Sequence, residues 1–330
     1  MKHSMSTGNR FFKTLLLCLL IAVPVTGLAA GIQKEEVQIT QKQGTLKGTL
    51  VLPPSQKQCP VVLLIAGSGP TDRNGNSSLS GQNNSLKLLA EGLAEKGIAT
   101  LRYDKRGIGE SRFPALKESA LTIEDYIQDA SKWIYYLKKD PRFYSVIVLG
   151  HSEGSLIGAT AARQCAADAF ISVAGPGKSL QTILLEQLQQ NTSKEYYLQS
   201  KCIISELEKG HTVPIPDSSF AILFRPSVQP YLISEFRYDP AIEISKLNMP
   251  VLLVQGTHDI QVAPENGRIL KLAAPKATLV MINGMNHVLK LSAMDTADQI
   301  ATYSNPHLPV VPQLITTIAS FIKRIPALKK

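Results

Sequence analysis

The sequence predicts an α/β fold: a mostly parallel sheet covered by helices on both faces, with a helical cap inserted into it. Three observations lead there. From residue 61 onward, short apolar runs of strand length alternate with segments of helical periodicity. The runs are apolar almost throughout, which suits strands buried on both faces. The alternation breaks once, between Gly177 and Leu247, over a stretch too long and too patterned for a loop.

Residues 35–65 read as extended. Residues 37–40 and 44–50 alternate apolar with polar, and residues 61–65 form a buried-strand run. Leu86, Leu89, Ala90 and Leu93 have helical spacing and stop at Gly97, ahead of a strand over residues 98–103. Thr122 is placed to cap a helix carrying Ile123, Tyr126, Ile127, Ala130, Trp133, Ile134 and Leu137 on one face. A strand over 146–149, a helix through Ala162 and a strand over 169–173 follow. Downstream, 251–255 and 279–282 are strands, with helices near 267–273 and 313–323. The interruption holds two helix-like pieces, 180–190 and 195–207, then a region carrying Pro214, Pro216, Pro226 and Pro230. The expected division is a core of residues 31–177 and 248–330 with a cap of residues 178–247.

Residues 1–30 are expected to be a signal peptide. Lys2, Arg10 and Lys13 precede an apolar run over 15–25, and small residues close it over 26–30. The run is short and holds Pro24, which argues against an uncleaved anchor, and nothing later is long and apolar enough to span a bilayer. The expected location is therefore the periplasm or the medium. Those three charges account for part of the formal +9, leaving +6 for the rest of the chain. The remaining charges are scattered, so no nucleic-acid partner is expected. Past the leader stand Cys59, Cys165 and Cys202, an odd number that leaves at least one thiol unpaired and selects no pair. No CxxC or Cys/His spacing suggests a metal, and no cofactor is expected.

The chemistry is expected at Gly150-His151-Ser152-Glu153-Gly154. It fits G-x-S-x-G and lies between a buried-strand run and a helix, the setting that exposes a serine on a tight turn at the carboxyl edge of a sheet. A serine hydroxyl needs a base. Among the downstream histidines, His287 lies in the loop after the last strand run, which opens on the edge that carries Ser152. His151 sits inside the turn, His211 in the cap, and His307 on the approach to the last helix. Asp259 ends the 251–255 strand, which gives the order Ser, Asp, His. Glu265 and Asp295 are placed less well. Two backbone N–H groups are expected to face a developing oxyanion: that of Glu153, and that of Ser68 in the loop Ala66-Gly67-Ser68-Gly69-Pro70. That loop lacks the Lys-Ser/Thr ending of a phosphate-binding P-loop. Asp104 and Arg106, after another strand on this edge, fit either a substrate contact or, preferably, an ion-paired brace.

The segments GSGPTDRNG (67–75), YDKRGIGES (103–111), GHSEGS (150–155), QGTHDIQV (255–262), GMNHVLK (284–290) and the cap stretch LFRPSVQPYLISEFRYDP (223–240) together resemble the α/β-hydrolases grouped with bacterial carboxylesterases and serine aminopeptidase-like enzymes. The resemblance covers nearly all of residues 35–325. It implies Ser152 as nucleophile, Asp259 as orienting acid, His287 as base, and Ser68 with Glu153 as oxyanion donors. Ala66-Gly67 stands where many relatives have His-Gly, a change that leaves a backbone donor intact. The expectation is hydrolysis of a small-molecule ester of short or medium acyl length, through an acyl-enzyme on Ser152. Ile222, Leu223, Phe224, Tyr231 and Phe236 either line the acyl pocket or pack between cap and core. A serine aminopeptidase, a thioesterase or acyltransferase, and a silent binding protein on the same scaffold stay open as alternatives. Oligomeric state is not legible.

Overall fold

The apolar runs pair into one eight-stranded sheet in a computed structural model, which describes residue 1 and residues 31–55, 58–78 and 81–326. The expected signal peptide, residues 1–30, therefore lies outside the described residues apart from Met1. In chain order the strands are β1 (Gln33–Gln41), β2 (Gly44–Leu52), β3 (Cys59–Ile65), β4 (Ala99–Tyr103), β5 (Phe143–His151), β6 (Ala169–Val173), β7 (Val251–Gly256) and β8 (Thr278–Ile282). They lie in the order β1-β2-β4-β3-β5-β6-β7-β8. The β1–β2 hairpin is antiparallel and β2 meets β4 antiparallel, after which every neighbour is parallel. Each parallel step needs a crossover, and the helices supply it.

These are α1 (Ser85–Glu95), α2 (Ile123–Lys139), α3 (Glu153–Gln164), α4 (Leu180–Asn191), α5 (Lys194–Glu208), α6 (Ala221–Phe224), α7 (Gln229–Glu235), α8 (Pro240–Ser245), α9 (Glu265–Ala273), α10 (Thr296–Tyr303) and α11 (Pro312–Ile322). The two-residue period of the strands divides the core. Val61, Leu63 and Ile65 face one layer with Trp133, Leu156 and Ile157 from α2 and α3. Val62 and Leu64 face the other with Leu89 and Leu93 from α1 and Ile318 from α11. This two-sided burial is why β3 and β5 read as unbroken apolar runs rather than alternating ones.

The cap stretch has its own apolar cluster, with Ile204, Leu207, Phe220 and Phe224 at its centre. Its proline-studded part carries the short helices α6, α7 and α8, which the sequence reading did not resolve, while Pro214, Pro216 and Pro226 lie outside them. Pro230 and Pro240 stand in the first turns of α7 and α8, where the missing N–H costs no helical bond. Helix α10 also escaped the sequence. Its apolar residues are few, and its start depends on Asp295 accepting the N–H groups of Ala297 (2.9 Å) and Asp298 (3.2 Å). Among the described residues, Cys59, Cys165 and Cys202 form no disulfide, and no helix is long and apolar enough to cross a membrane.

Candidate active site

Register brings the expected residues to one edge of the sheet. Ile65 at the end of β3 pairs with Gly150 of β5, so the loop holding Gly67 and Ser68 emerges beside His151 and Ser152. Gly256 at the end of β7 pairs with Ile282 of β8, so the loops carrying Asp259 and His287 also emerge together. A Cβ on Gly256 would collide with the carbonyl of Met285, so only glycine lets those two loops pass.

Ser152 has φ 55° and ψ −128°, a conformation that a non-glycine residue adopts only when its surroundings impose it. Here the Ser152 N–H donates to Val173 O (3.0 Å), while α3 begins at the next residue. A Cβ on Gly150 would strike Gly154, and one on Gly154 would strike the backbone of Ile65 and Ala66. The flanking glycines therefore let the turn close and let α3 press onto β3. Ser152 is half-buried and opens into a cavity of about 190 Å³ that also takes in Gly67, Ser68, His151 and His287.

His287 Nδ1–H donates to Asp259 Oδ2 at 2.9 Å, which leaves Nε2 free. Asp259 is buried, and its other oxygen accepts the N–H groups of Gln261 (2.9 Å) and Val262 (2.8 Å). Gln255 Nε2 donates to Oδ2 at 3.3 Å. These donors hold the carboxylate in one orientation, and the carboxylate fixes the imidazole tautomer.

His151 lies inside the turn, a position to which the sequence reading gives no role. It instead braces the base: its Nε2–H donates to the carbonyl of His287 at 2.8 Å, and the two rings lie 4.9 Å apart. Burial, with the nearby His287 as second cause, lowers its pKa to about 4, so it stays neutral. The loop of His287 is also tied to α10. Buried Asn286 donates to Thr302 Oγ1 (2.6 Å) and accepts from Lys290 N–H (3.0 Å). Gln299 Nε2 donates to the carbonyl of His258 at 2.9 Å, beside Asp259.

Ser68 and Glu153 flank the serine from two sides, Ser68 in the loop after β3 and Glu153 in the first turn of α3. Asp104 and Arg106 act within the protein. Asp104 accepts the N–H of Arg73 (2.7 Å) and of Glu110 (2.9 Å), while Arg106 pairs with Asp125 (2.6 Å) and Asp129 (2.7 Å) of α2. Between them lies Lys105, which sequence reasoning passed over. It is buried, donates to the carbonyl of Gly67 (2.6 Å), and sits 3.6 Å from Glu153 and over the ring of Tyr126. Burial pulls its pKa down against the opposing pull of Glu153. Tyr231 O–H donates to Glu153 at 2.8 Å, and buried Glu235 completes the group. A lone charged residue carries no periodic signal, so Lys105 and Glu235 were not legible.

A second cavity, of about 680 Å³, lies on the cap side and meets the first at Ser68-Gly69-Pro70. Ile222, Leu223 and Tyr231 line it, whereas Phe224 is buried in the cap's own cluster and Phe236 packs there too. Among the described residues, no group of three His, Cys, Asp or Glu side chains is arranged to hold a metal ion.

A mostly parallel sheet with an antiparallel start, helices on both faces and a strained serine between β5 and α3 is the α/β-hydrolase fold, and the chain has that fold. Residues 81–198 match the family described as serine aminopeptidase, S33. The chain is 32% identical over 255 residues to the esterase EstD of Thermotoga maritima, covering 74% of this chain and 58% of that longer protein. It therefore spans less than two thirds of the relative's length. Est1E of Butyrivibrio proteoclasticus, solved with ferulic acid bound, shares the fold at a TM-score of 0.57 and 19% identity, over 87% of this chain and all of that one. A hypothetical protein of Pseudomonas aeruginosa aligns with a TM-score of 0.60 and 15% identity, over 91% and 95% of the two chains.

Proposed function

We propose that the protein hydrolyses carboxylic esters of short to medium acyl length through an acyl-enzyme on Ser152. The observation that carries this reading is that Ser152, on its strained turn, shares a cavity with His287, which Asp259 holds at 2.9 Å. His287 Nε2 takes the proton of Ser152 Oγ as that oxygen attacks the ester carbonyl, and Asp259 stabilises the imidazolium. The backbone N–H groups of Ser68 and Glu153 hold the oxyanion, the latter aided by the N-terminus of α3. The C–O bond to the alcohol breaks, and His287 returns the proton to the departing alkoxide. Water, deprotonated by His287, then attacks the acyl carbon and releases the carboxylic acid with Ser152 restored. An esterase relative and an apolar-walled cavity of about 680 Å³ support an ester over a peptide.

Initial rates on p-nitrophenyl esters of graded length, set against aminoacyl p-nitroanilides, test the reaction class. The esters are expected to be cleaved faster, and preference for the anilides would overturn the proposal in favour of a peptidase. Labelling by a fluorophosphonate probe is expected for the native chain and absent in Ser152→Ala. Labelling that survives that change would remove Ser152 as nucleophile.

A further inference from the structure

The peptide unit that joins Gly67 to Ser68 is held on one side and open on the other. Gly67 lies against the proposed nucleophile, since a Cβ built on it would come within 3.0 Å of Ser152 Cβ. Its carbonyl accepts from Lys105 Nζ at 2.6 Å, and the next carbonyl, of Ser68, accepts from Thr71 Oγ1 at 2.8 Å. The N–H of Ser68 donates to no protein group among the described residues. Lys105 stands in the loop after β4, which runs parallel to β3 and so delivers that side chain to the same sheet edge. Its neighbours are pinned, Asp104 by the N–H groups of Arg73 and Glu110, and Arg106 by Asp125 and Asp129. Lys105 is 2% exposed, and taking an ammonium out of water costs more than burying an apolar side chain of that size would.

We propose that Lys105 is a positioning residue for the oxyanion site, aiming the N–H of Ser68 at the substrate's carbonyl oxygen through its hold on Gly67. This deepens the esterase reading and rests on it. The peptide unit is planar and trans, so the C=O of Gly67 and the N–H of Ser68 point in opposite directions. Fixing one end fixes the other. A cation on the carbonyl oxygen also draws electrons from the peptide, which makes the N–H at the far end a stronger donor.

The loop needs an external hold. Ser68 stands between Gly67 and Gly69, the latter at φ 66°, and glycines give the backbone little resistance of its own to rotation. Lys105 also lies 3.6 Å from the carboxylate of Glu153, whose N–H is the other proposed donor, so one side chain touches both donor residues. That second contact admits a plainer role, in which Lys105 only balances the charge of Glu153. The two roles differ in what they do to the transition state.

Lys105→Met keeps the bulk of the side chain and removes the donor. On p-nitrophenyl butyrate it is expected to lower kcat by about tenfold to a hundredfold, with KM changed by less than about twofold. Heptyl trifluoromethyl ketone probes the oxyanion itself: Ser152 Oγ bonds to its carbonyl carbon, the C=O pair moves to oxygen, and the hydroxyl proton passes to His287. Its Ki is expected to rise by the factor that kcat/KM falls, while heptyl methyl ketone, which stays trigonal, keeps its Ki within about twofold. The double variant Lys105→Met with Glu153→Gln removes both charges of the pair, and it carries the test alone if the single variant does not fold. It is expected to keep the loss of kcat. Unchanged kcat in Lys105→Met, equal weakening of the two ketones, or native kcat in the double variant would each overturn the proposal, the last by making Lys105 a counter-ion for Glu153. Each of these outcomes leaves the esterase reading standing. No hydrolysis of any ester by the native chain would end both.

Discussion

A single residue can be informative through where it is held rather than what it reacts with. His151 lies beside the proposed nucleophile, yet its ring is turned away to donate to the carbonyl of His287. That bond requires a proton on Nε2, and burial discourages a second one on Nδ1. The ring is therefore expected to titrate near pH 4, well below the ordinary histidine range, in an NMR pH series of its C–H signals. The consequence for stability has a definite sign. Between the unfolded value near 6.5 and the folded value of about 4, the unfolded chain binds the extra proton. Stability from this group is therefore complete above that window and falls as pH drops through it, by about 1.4 kcal/mol per pH unit. A ring that titrated near 6.5 in the folded protein would contradict the buried brace.

At the scale of elements, the proposed base depends on a helix that the sequence did not announce. Ser152 was legible because strand, tight turn and helix each leave a pattern, and Asp259 and His287 because they follow apolar strand runs. Helix α10 leaves almost none. Its worth comes from polar contacts made after folding, Thr302 to Asn286 and Gln299 to His258, which tie the loops of His287 and Asp259 to one support. Thr302→Val tests this, since it keeps the volume and removes the acceptor. Asn286 Nδ2 would then be buried without a partner, at a cost of about 1–3 kcal/mol in urea unfolding. With the base less firmly held, kcat on p-nitrophenyl esters is expected to fall more than KM rises. Unchanged stability and kcat would mean that α10 merely covers the loop.

The whole molecule joins two structural logics. The sheet and its two apolar layers follow a hydrophobic pattern, so the sequence predicts them closely. The buried ionic cluster between core and cap follows no pattern, because its members lie far apart in sequence: Lys105 after β4, Glu153 opening α3, Tyr231 and Glu235 in α7. Its imprint should appear in a global property, the dependence of stability on pH. Burial raises the pKa of Glu235 well above the carboxylate range, so the folded chain keeps a proton that the unfolded chain releases above about pH 4.5. Stability from this group is full below that value and declines as pH rises toward the folded pKa, opposite in sign to the trend from His151. Glu235→Gln replaces the carboxylic acid with a neutral amide of nearly the same shape and cannot ionise. Relative to the native chain, the variant should therefore gain stability as pH increases from 4.5 to 7, at up to about 1.4 kcal/mol per unit. Parallel urea titrations of the two proteins across that range measure the difference directly, and contributions from titrating groups away from the cluster cancel. A difference that stays flat with pH would show that Glu235 is ionised in the folded protein. Lys105, Glu153 and Glu235 together would then carry a net negative charge inside the fold.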